Sequence, residues 1–459
     1  MTFNKKVIHV LILMLTLFCG VVLYFSYFQI FKSPELAGKS GNPRTFVREQ
    51  NIRRGTIYDR NGEVLAESEM NEDGQTRSYP YDKLYSQLIG YSDTRYGRTL
   101  LEDTYNRYLL GGGADGDLLG TLLGADIHEG ADLHLTIDHS LQNLASQQLA
   151  GRKGAITALD PATGEVLCMV SNPSYNPNTL AKDYETLTQT DGMFYPRATN
   201  WNYVPGSVFK IITAASAVEN GLENLEYEDT GTFMVDGHEI HNYNEKVYGL
   251  LDLETAFAKS SNTYFANLAD TLGADALRKT AEAFGFNREI GFDIPLRKST
   301  TLTGSPSKTQ VAAVGYGQGE TVTTPLHMAM IAATIANDGV MMEPYVVSLA
   351  KRDGHTLFEK NNTIFGRAVS SSTAQAVEDM MVKCVESGTG TGAKISNIKV
   401  AAKTGTAEVG ENGKDHAWFV AFAPADNPKI ALAIVLENAG TTGSACAGMA
   451  RNLISARLK

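Results

Sequence analysis

Cysteine is scarce in this chain of 459 residues, and its four copies, Cys19, Cys168, Cys384 and Cys446, are widely spaced. Because no C-x-x-C pair is present, the sequence excludes a zinc knuckle, a thioredoxin motif and a small disulfide-stapled domain. Basic residues are also outnumbered, since 40 lysines and arginines face 51 aspartates and glutamates and leave a net charge of −11. A nucleic-acid-binding protein needs a basic face, so nucleic acid is not an expected partner.

Long hydrophobic runs are limited to one, over residues 7–31, which carries no charge if His9 is neutral. As a helix this run would extend about 37 Å, enough to cross a bilayer with some tilt. Lys5 and Lys6 precede it, and the positive-inside rule then predicts a cytoplasmic N-terminus. A cleaved signal peptide is the alternative, but the run exceeds the ~7–15 apolar residues of such a signal. We therefore expect residues 1–31 to form a cytoplasmic tip and a transmembrane anchor.

The remaining chain divides near residue 150. Residues 32–150 are polar and rich in turns, as at 111–117, and they end in a predicted helix over 140–150 with Ser140 as its N-cap. Four apolar segments predict strands: 154–160, 165–171, 416–424 and 429–438. Helical spacing follows at 444–459. Strands at both ends with helices between them predict an α/β domain over 151–459, whose sheet is assembled from distant parts of the chain.

Three short motifs occur in an order that points to one chemistry. Ser-x-x-Lys places a hydroxyl and an amine one helical turn apart, where a deprotonated lysine can activate the serine. This pattern occurs four times, at Ser207, Ser305, Ser348 and Ser396. Requiring a later Ser-x-Asn and then Lys-Thr-Gly leaves one combination, which runs through Ser207 and Lys210, Ser260 and Asn262, and Lys403-Thr404-Gly405.

This ordered set resembles that of the penicillin-recognising serine acyl-enzymes, the penicillin-binding proteins and serine β-lactamases. Longer segments also resemble penicillin-binding proteins: 200–221, 258–269, 314–339 and 387–408. Residues 53–66 and 98–112 resemble the N-terminal part of class B, monofunctional members, and 133–145 the lead-in to their catalytic domain. The resemblance implies an antiparallel central sheet flanked by helices, preceded by an N-terminal pedestal or dimerisation-like module over 32–150.

The resemblance also implies a role for each motif residue. Ser207 would be the nucleophile and Lys210 its general base, while Ser260 would relay a proton and Asn262 would hold the substrate amide. Lys403 would supply positive potential and keep Lys210 deprotonated. The Lys-Thr-Gly segment, Lys403, Thr404, Gly405 and the following Thr406, would bind the substrate carboxylate, and the backbone N–H groups of Ser207 and Thr406 would form an oxyanion hole.

The activity implied is that of a peptidoglycan D,D-transpeptidase, which cross-links stem peptides ending in D-Ala-D-Ala and is acylated by β-lactams. D,D-carboxypeptidase activity would be a side reaction. No cofactor and no metal are expected. Implied partners are a SEDS-family glycan polymerase and the bacterial cell membrane, with the catalytic domain outside the cytoplasm. The role in elongation, division or sporulation stays open.

Other chemistries fit the sequence less well. His238-Glu239-Ile240-His241 lacks the spacing of H-E-x-x-H and predicts an exposed loop. The glycine-rich segments 315–319 and 388–392 lack the G-K-[ST] of a nucleotide-binding loop. Two alternatives remain open beside the transpeptidase: a β-lactamase or membrane β-lactam sensor, and a non-catalytic scaffold for wall synthesis. No glutamate between Asn262 and Lys403 has an asparagine four residues later, as one class of β-lactamase would require.

Overall fold

A computed structural model of the chain describes residues 5–28, 51–72, 74–112, 128–408 and 414–459. Most of the turn-rich segment predicted at 111–117 and the last residues of the predicted anchor at 29–31 lie outside these ranges. The first helix, α1, spans Lys5–Tyr27 and ends before the predicted 31. Its segment Val7–Tyr27 has a mean hydropathy of 2.6 and packs against no other part of the described structure. This helix is long and apolar enough to cross a membrane.

After α1, the described residues form twelve further α-helices and nineteen strands. The helices after α1 are α2 Leu100–Thr104, α3 Asn106–Leu109, α4 His139–Leu149, α5 Leu180–Gln189, α6 Arg197–Asn200, α7 Lys210–Glu219, α8 Leu253–Lys259, α9 Asn262–Ala283, α10 Lys308–Gly315, α11 Pro325–Ala336, α12 Ser371–Ser387 and α13 Ala447–Arg457. The strands are β1 Ile57–Tyr58, β2 Val64–Asn71, β3 Gly74–Ser78, β4 Ser92–Asp93, β5 Gly97–Arg98, β6 Asp132–Leu135, β7 Gly154–Leu159, β8 Val166–Asn172, β9 Tyr227–Asp229, β10 Thr232–Val235, β11 His238–His241, β12 Gly249–Leu251, β13 Val340–Met342, β14 Val347–Arg352, β15 His355–Glu359, β16 Ile364–Arg367, β17 Ala401–Ala407, β18 His416–Ala423 and β19 Ile430–Leu436.

A five-stranded antiparallel sheet forms the centre of the C-terminal part, in the order β17-β18-β19-β7-β8. Its strands come from 154–172 and from 401–436, so the predicted sheet assembled from both ends of the domain is confirmed. The predicted hairpin of β7 and β8 and the predicted pair of β18 and β19 are both present. This is the α/β arrangement that the resemblance implied.

Both faces of this sheet are covered, and the alternation of β18 shows how. Trp418, Val420 and Phe422 pack into one core, with α7, α9, α11 and α12. Ala417, Phe419 and Ala421 pack into a second core, with α4 and α13. Successive side chains of a strand point to opposite faces. Because each face has a helical layer, the central strands are apolar on both sides, and their sequence reads as an unbroken hydrophobic run.

The N-terminal module contains a second sheet that receives two strands from the C-terminal part. Its order is β15-β14-β6-β1-β2-β3, with β14 and β15 contributed by residues 347–359. Conversely, α4, which precedes residue 150, packs on the five-stranded central sheet through Leu141 and Ala145. Elements therefore cross the 150/151 boundary in both directions, and the division drawn there stays a prediction.

Two local expectations were wrong. The helix predicted over 140–150 begins at His139, and its N-cap is Asp138, whose carboxylate accepts the N–H of Leu141 at 3.1 Å, rather than Ser140. The segment 238–241, predicted as a loop, forms strand β11 paired with β10. Cross-strand hydrogen bonding to Thr232–Val235 stabilises an extended backbone there, and its own polar side chains give little sign of such a partner.

Candidate active site

Ser207 lies in a short 3₁₀ helix, Gly206–Phe209, that leads directly into α7. The preceding Gly206 has a φ of +55°, and a Cβ on it would lie 2.2 Å from the carbonyl oxygen of Thr406 in β17. Its N–H donates to the carbonyl of Gly317 at 2.9 Å. Glycine is the residue type that accepts both this backbone conformation and this close approach. The turn therefore holds the Ser207 backbone against the edge strand of the central sheet.

Lys210 is the first residue of α7 and its side chain is fully buried. Its Nζ donates to the carbonyl oxygen of Ser260 at 2.8 Å, to Ser260 Oγ at 3.2 Å and to Asn262 Oδ1 at 2.8 Å. The ring of Phe265 lies 5.4 Å from the same nitrogen. The amine is thus fixed by oxygens of the Ser-x-Asn segment.

Ser260 connects the two lysines of the site. Its hydroxyl accepts a hydrogen bond from Lys403 Nζ at 2.8 Å and lies 3.2 Å from Lys210 Nζ. The residue stands between α8 and α9 with a φ of +60°, a left-handed conformation that is uncommon for serine. Because a hydroxyl can both donate and accept, this group can carry a proton between neighbouring groups.

The pKa values of both lysines are lowered. Burial lowers the pKa of Lys210 well below its ordinary value, and the positive charge of Lys403 lowers it further. Burial also lowers the pKa of Lys403, to about 8. Desolvation disfavours the charged form of an amine, and a second cation nearby adds to the effect. Lys210 is accordingly poised to be a neutral amine, the form that can accept a proton from a serine.

The Lys-Thr-Gly segment lies on β17, the edge strand of the central sheet. Thr404 and Thr406 line the cleft, whereas Lys403 reaches Ser260 from within the buried interior. Gly405 does not line the cleft, because a Cβ there would meet Trp418 Cβ and Val208 Cγ1 at 3.0 Å. Its absence of a side chain lets β17 pack closely against the Ser207 helix, so any contact of Gly405 with substrate would rest on its backbone.

The cleft in front of these residues encloses about 910 Å³, including solvent at its mouth. Of the residues predicted for the site, it is lined by Ser207, Ser260, Asn262, Thr404 and Thr406. The predicted residues are therefore gathered at one place, with Lys210 and Lys403 buried behind this lining and hydrogen-bonded to Ser260.

Several residues of the cleft were missed in the sequence. The Thr389 hydroxyl lies 2.5 Å from that of Thr404, and its N–H donates to the carbonyl of Ala258. The other missed lining residues are Tyr243, Lys246, Tyr248, Lys259, Tyr316, Gln318, Glu408, Thr442 and Ser444. The glycine-rich segments 315–319 and 388–392 were the available signal, because glycines allow the close backbone approach that brings Gln318 and Thr389 to the cleft.

The other sequence features do not form a competing site. Lys308 and Lys351 of two further Ser-x-x-Lys pairs lie on α10 and on β14. Among the described residues, no group of three or more His, Cys, Asp or Glu side chains is arranged to hold a metal ion. Glu239 and His241 lie 3.8 Å apart on exposed β11.

The sequence matches two family descriptions. "Penicillin binding protein transpeptidase domain" matches residues 154–455, and "Penicillin binding protein A dimerisation domain" matches residues 54–123. Since the first covers well over half of the chain, the protein belongs to the penicillin-binding proteins. The fold and the Ser-Lys, Ser-Asn and Lys-Thr-Gly geometry agree with that family assignment.

Named relatives refine this assignment. The chain is 34% identical to the peptidoglycan D,D-transpeptidase PbpA of Mycobacterium tuberculosis, over 99% of both chains. It is 33% identical to the peptidoglycan D,D-transpeptidase MrdA of Acinetobacter baumannii over 82% of this chain, a match that spans 65% of MrdA. It also resembles the structure of penicillin-binding protein A from M. tuberculosis as an imipenem acyl-enzyme complex, with a TM-score of 0.83 and 33% identity over 90% and 99% of the two chains.

Proposed function

We propose that this protein is a peptidoglycan D,D-transpeptidase that acts through an acyl-enzyme on Ser207 and is covalently acylated there by β-lactams. The observation that carries the proposal is the Lys210–Ser260–Lys403 chain of hydrogen bonds behind the cleft that Ser207 lines. Two buried lysines at hydrogen-bond distance from one hydroxyl have a clear chemical use, because burial and the second cation favour the neutral, basic form of Lys210.

In the first half of the reaction, neutral Lys210 accepts the proton of Ser207 Oγ as that oxygen attacks the carbonyl carbon of the D-Ala-D-Ala bond. The negative charge that develops on the carbonyl oxygen is stabilised by the backbone N–H groups of Ser207 and Thr406, a contact worth about 3–4 kcal/mol in other enzymes. Ser260 passes its proton to the leaving nitrogen and receives the proton held by Lys210, which becomes neutral again, while the C–N bond breaks and D-alanine departs. Ser207 is left as an ester.

In the second half, the amine of a neighbouring stem peptide attacks the ester carbon. Lys210 takes up the proton of that amine and returns one to Ser207 Oγ as the C–O bond breaks. These groups act with others that bind the donor in the first half: there Lys403, Thr404 and Thr406 bind the terminal carboxylate, which leaves with D-alanine, and Asn262 holds the donor amide. When water replaces the amine, the same steps give D,D-carboxypeptidase activity.

The proposed localisation and partners are supported by the apolar helix α1 and the N-terminal module. Helix α1 anchors the chain in the bacterial membrane as a single pass, with the N-terminus in the cytoplasm and residues 151–459 outside it as the catalytic domain. Residues 32–150 serve as the pedestal module. A SEDS-family glycan polymerase is the proposed partner, with contacts through α1 and this module.

The test uses the full-length protein in detergent, a synthetic stem pentapeptide ending in D-Ala-D-Ala, and a fluorescent amine acceptor. The proposal predicts release of D-alanine together with a fluorescent cross-linked product, and neither with Ser207→Ala. Release of D-alanine without product would make the protein a carboxypeptidase only.

A second measurement separates the transpeptidase from the drug-directed alternatives. After labelling with fluorescent penicillin and washing, a transpeptidase retains the label. Rapid loss of label with continued consumption of the drug would instead identify a β-lactamase.

A further inference from the structure

A buried polar cluster lies directly behind the Ser-x-Asn segment. None of its members is one of the predicted catalytic residues. Its central members are Asp229 at the end of β9 and Asn242 just after β11, which are 0% and 4% exposed. Ser261 completes it from the Ser-x-Asn segment itself. Buried polar groups of this kind carry a free-energy cost unless they are fully hydrogen-bonded, so their partners reveal what they hold in place.

Asn242 binds the start of the helix that carries Asn262. Its Oδ1 accepts the N–H of Asn262 at 2.7 Å and the N–H of Thr263 at 3.2 Å. These are two of the first-turn N–H groups of α9 that have no partner within the helix. The neighbouring carbonyl of His241 accepts from Asn262 Nδ2 at 3.1 Å, while Asn262 Oδ1 accepts from Lys210. The amide of Asn262 is therefore held at one end by residues 241–242 and at the other by Lys210.

Asp229 fixes which way the Asn242 amide points. An ionised carboxylate only accepts hydrogen bonds, so it selects the NH₂ end of the amide. Asn242 Nδ2 lies 2.9 Å from both oxygens of Asp229, and this leaves Oδ1 directed at α9. Ser261 Oγ and the N–H of Gly231 donate to the same carboxylate at 2.7 and 2.8 Å. The opposite amide orientation would place an oxygen against the carboxylate and a donor against the helix N–H groups.

We infer that Asn242, oriented by Asp229, is a positioning residue for acylation, because it sets the place of Asn262 and, through Asn262, that of Lys210. The inference rests on the proposed function, in which Lys210 activates Ser207. Asn242 touches none of the reacting atoms, but it holds the backbone of Asn262 and Lys246, which line the cleft. Its loss should therefore slow the chemical step, through the displaced Lys210, by a larger factor than it weakens binding of the drug through the displaced Asn262.

The test measures acylation of the full-length protein by fluorescent penicillin at several drug concentrations, which separates the acylation rate from the dissociation constant of the initial complex. We expect Asn242→Asp, which opposes two carboxylates, to slow acylation about 10–100-fold, the range typical of residues that orient a functional group from behind. The dissociation constant should rise by a smaller factor than the rate falls, because Asn262 also holds the amide. The double variant Asp229→Asn/Asn242→Asp restores a donor facing an acceptor and should regain most of the rate.

Asn287→Ala serves as the control, because Asn287 also binds backbone, at Thr301, but lies away from the cleft residues. It should lower thermal stability and leave the acylation rate unchanged. An unchanged rate in Asn242→Asp, or a double variant that regains thermal stability but not rate, overturns the inference. Failure of both variants to fold would also overturn it, as the cluster would then be a folding element. Failure of the wild type to be labelled would instead contradict the proposed function.

Discussion

The Arg54–Glu102–Arg77 cluster of the N-terminal module and the Lys210–Lys403 pair of the cleft are both buried, and their charges are arranged in opposite ways. Glu102 binds Arg54 at 2.5 Å and Arg77 at 2.8 Å, with its side chain fully buried. Burial favours a high pKa for this carboxyl, but attraction to Arg54 and Arg77 and their hydrogen bonds outweigh it and lower the pKa to about 2. In the cleft, the amines of Lys210 and Lys403 donate hydrogen bonds to uncharged oxygens, and the pKa values of both lysines are lowered.

This contrast separates a structural cluster from a reactive one. Arg54 and Glu102 come from the two N-terminal segments that resemble class B proteins, 53–66 and 98–112, and their ion pair joins these segments. Compensated charges stay ionised and keep the module together. For the two lysines, burial without a counter-charge is destabilising and lowers their pKa values, which favours the neutral amine that a base requires. Substitutions in the two clusters should therefore have opposite effects on stability.

The largest expected effect comes from Lys210→Arg. A guanidinium stays protonated and cannot serve as a base, so the rate of acylation by penicillin should fall by about 10²–10⁴-fold. The second-order rate constant for labelling measures this loss. Lys308→Arg, in an exposed Ser-x-x-Lys pair, should label like the wild type, and near-normal labelling of Lys210→Arg would remove Lys210 from the mechanism.

Glu102→Gln should produce the largest loss of stability. It leaves two buried arginines without a counter-charge, and breaking a buried pair costs about 3–5 kcal/mol. Denaturant unfolding measures the change, and the folded fraction should still be acylated at the wild-type rate. Glu129→Gln is the matched control, because its ion pair with Arg53 is half exposed and should contribute less than about 1 kcal/mol. Equal effects of the two substitutions would contradict the structural role of the cluster.

Lys403→Met should stabilise the fold while it abolishes labelling. Replacing a buried ion pair with apolar groups of similar size can add about 1–4 kcal/mol, and removing a buried charge that has no counter-charge should act in the same direction. The folded pKa of about 8 lies below the ordinary 10.5, so the cost of burying the charge is complete below pH 8 and disappears as the pH rises to 10.5. The stability gain of the variant should shrink over that range in unfolding experiments. A destabilised variant at neutral pH would show that Lys403 is a net structural contributor.

The smallest effect is a descending limb in the pH profile of acylation. As the pH rises through about 8, Lys403 loses the charge that attracts the carboxylate of penicillin, and the labelling rate should decline. In Lys403→Arg the side chain stays charged, so any remaining activity should lack this limb. A limb at the same pH in both proteins would assign it to another group.

Much of the site could be predicted because its chemistry is carried by short, ordered motifs. Lys210, Ser260, Asn262 and Lys403 are hydrogen-bonded to one another, although 193 residues separate the first from the last. The apolar strands β7, β8, β18 and β19 could also be located, because each is buried on both faces. In these cases local composition and the final environment agree.

The rest depends on partners that local sequence does not specify. Strands β14 and β15 join the N-terminal sheet across more than 200 residues, and β11 is extended because β10 pairs with it. Asp229 and Asn242 lie in polar stretches without a motif, and their meaning appears only when α9 is placed beside them. Long-range pairing of this kind is set by tertiary structure rather than by propensity.

The most direct test of the account is to map the covalent adduct of penicillin by mass spectrometry of the digested full-length protein. We expect one adduct, on the peptide that contains Ser207, which is retained in Ser305→Ala and lost in Ser207→Ala. An adduct on any other residue, or one that persists in folded Ser207→Ala, would contradict it.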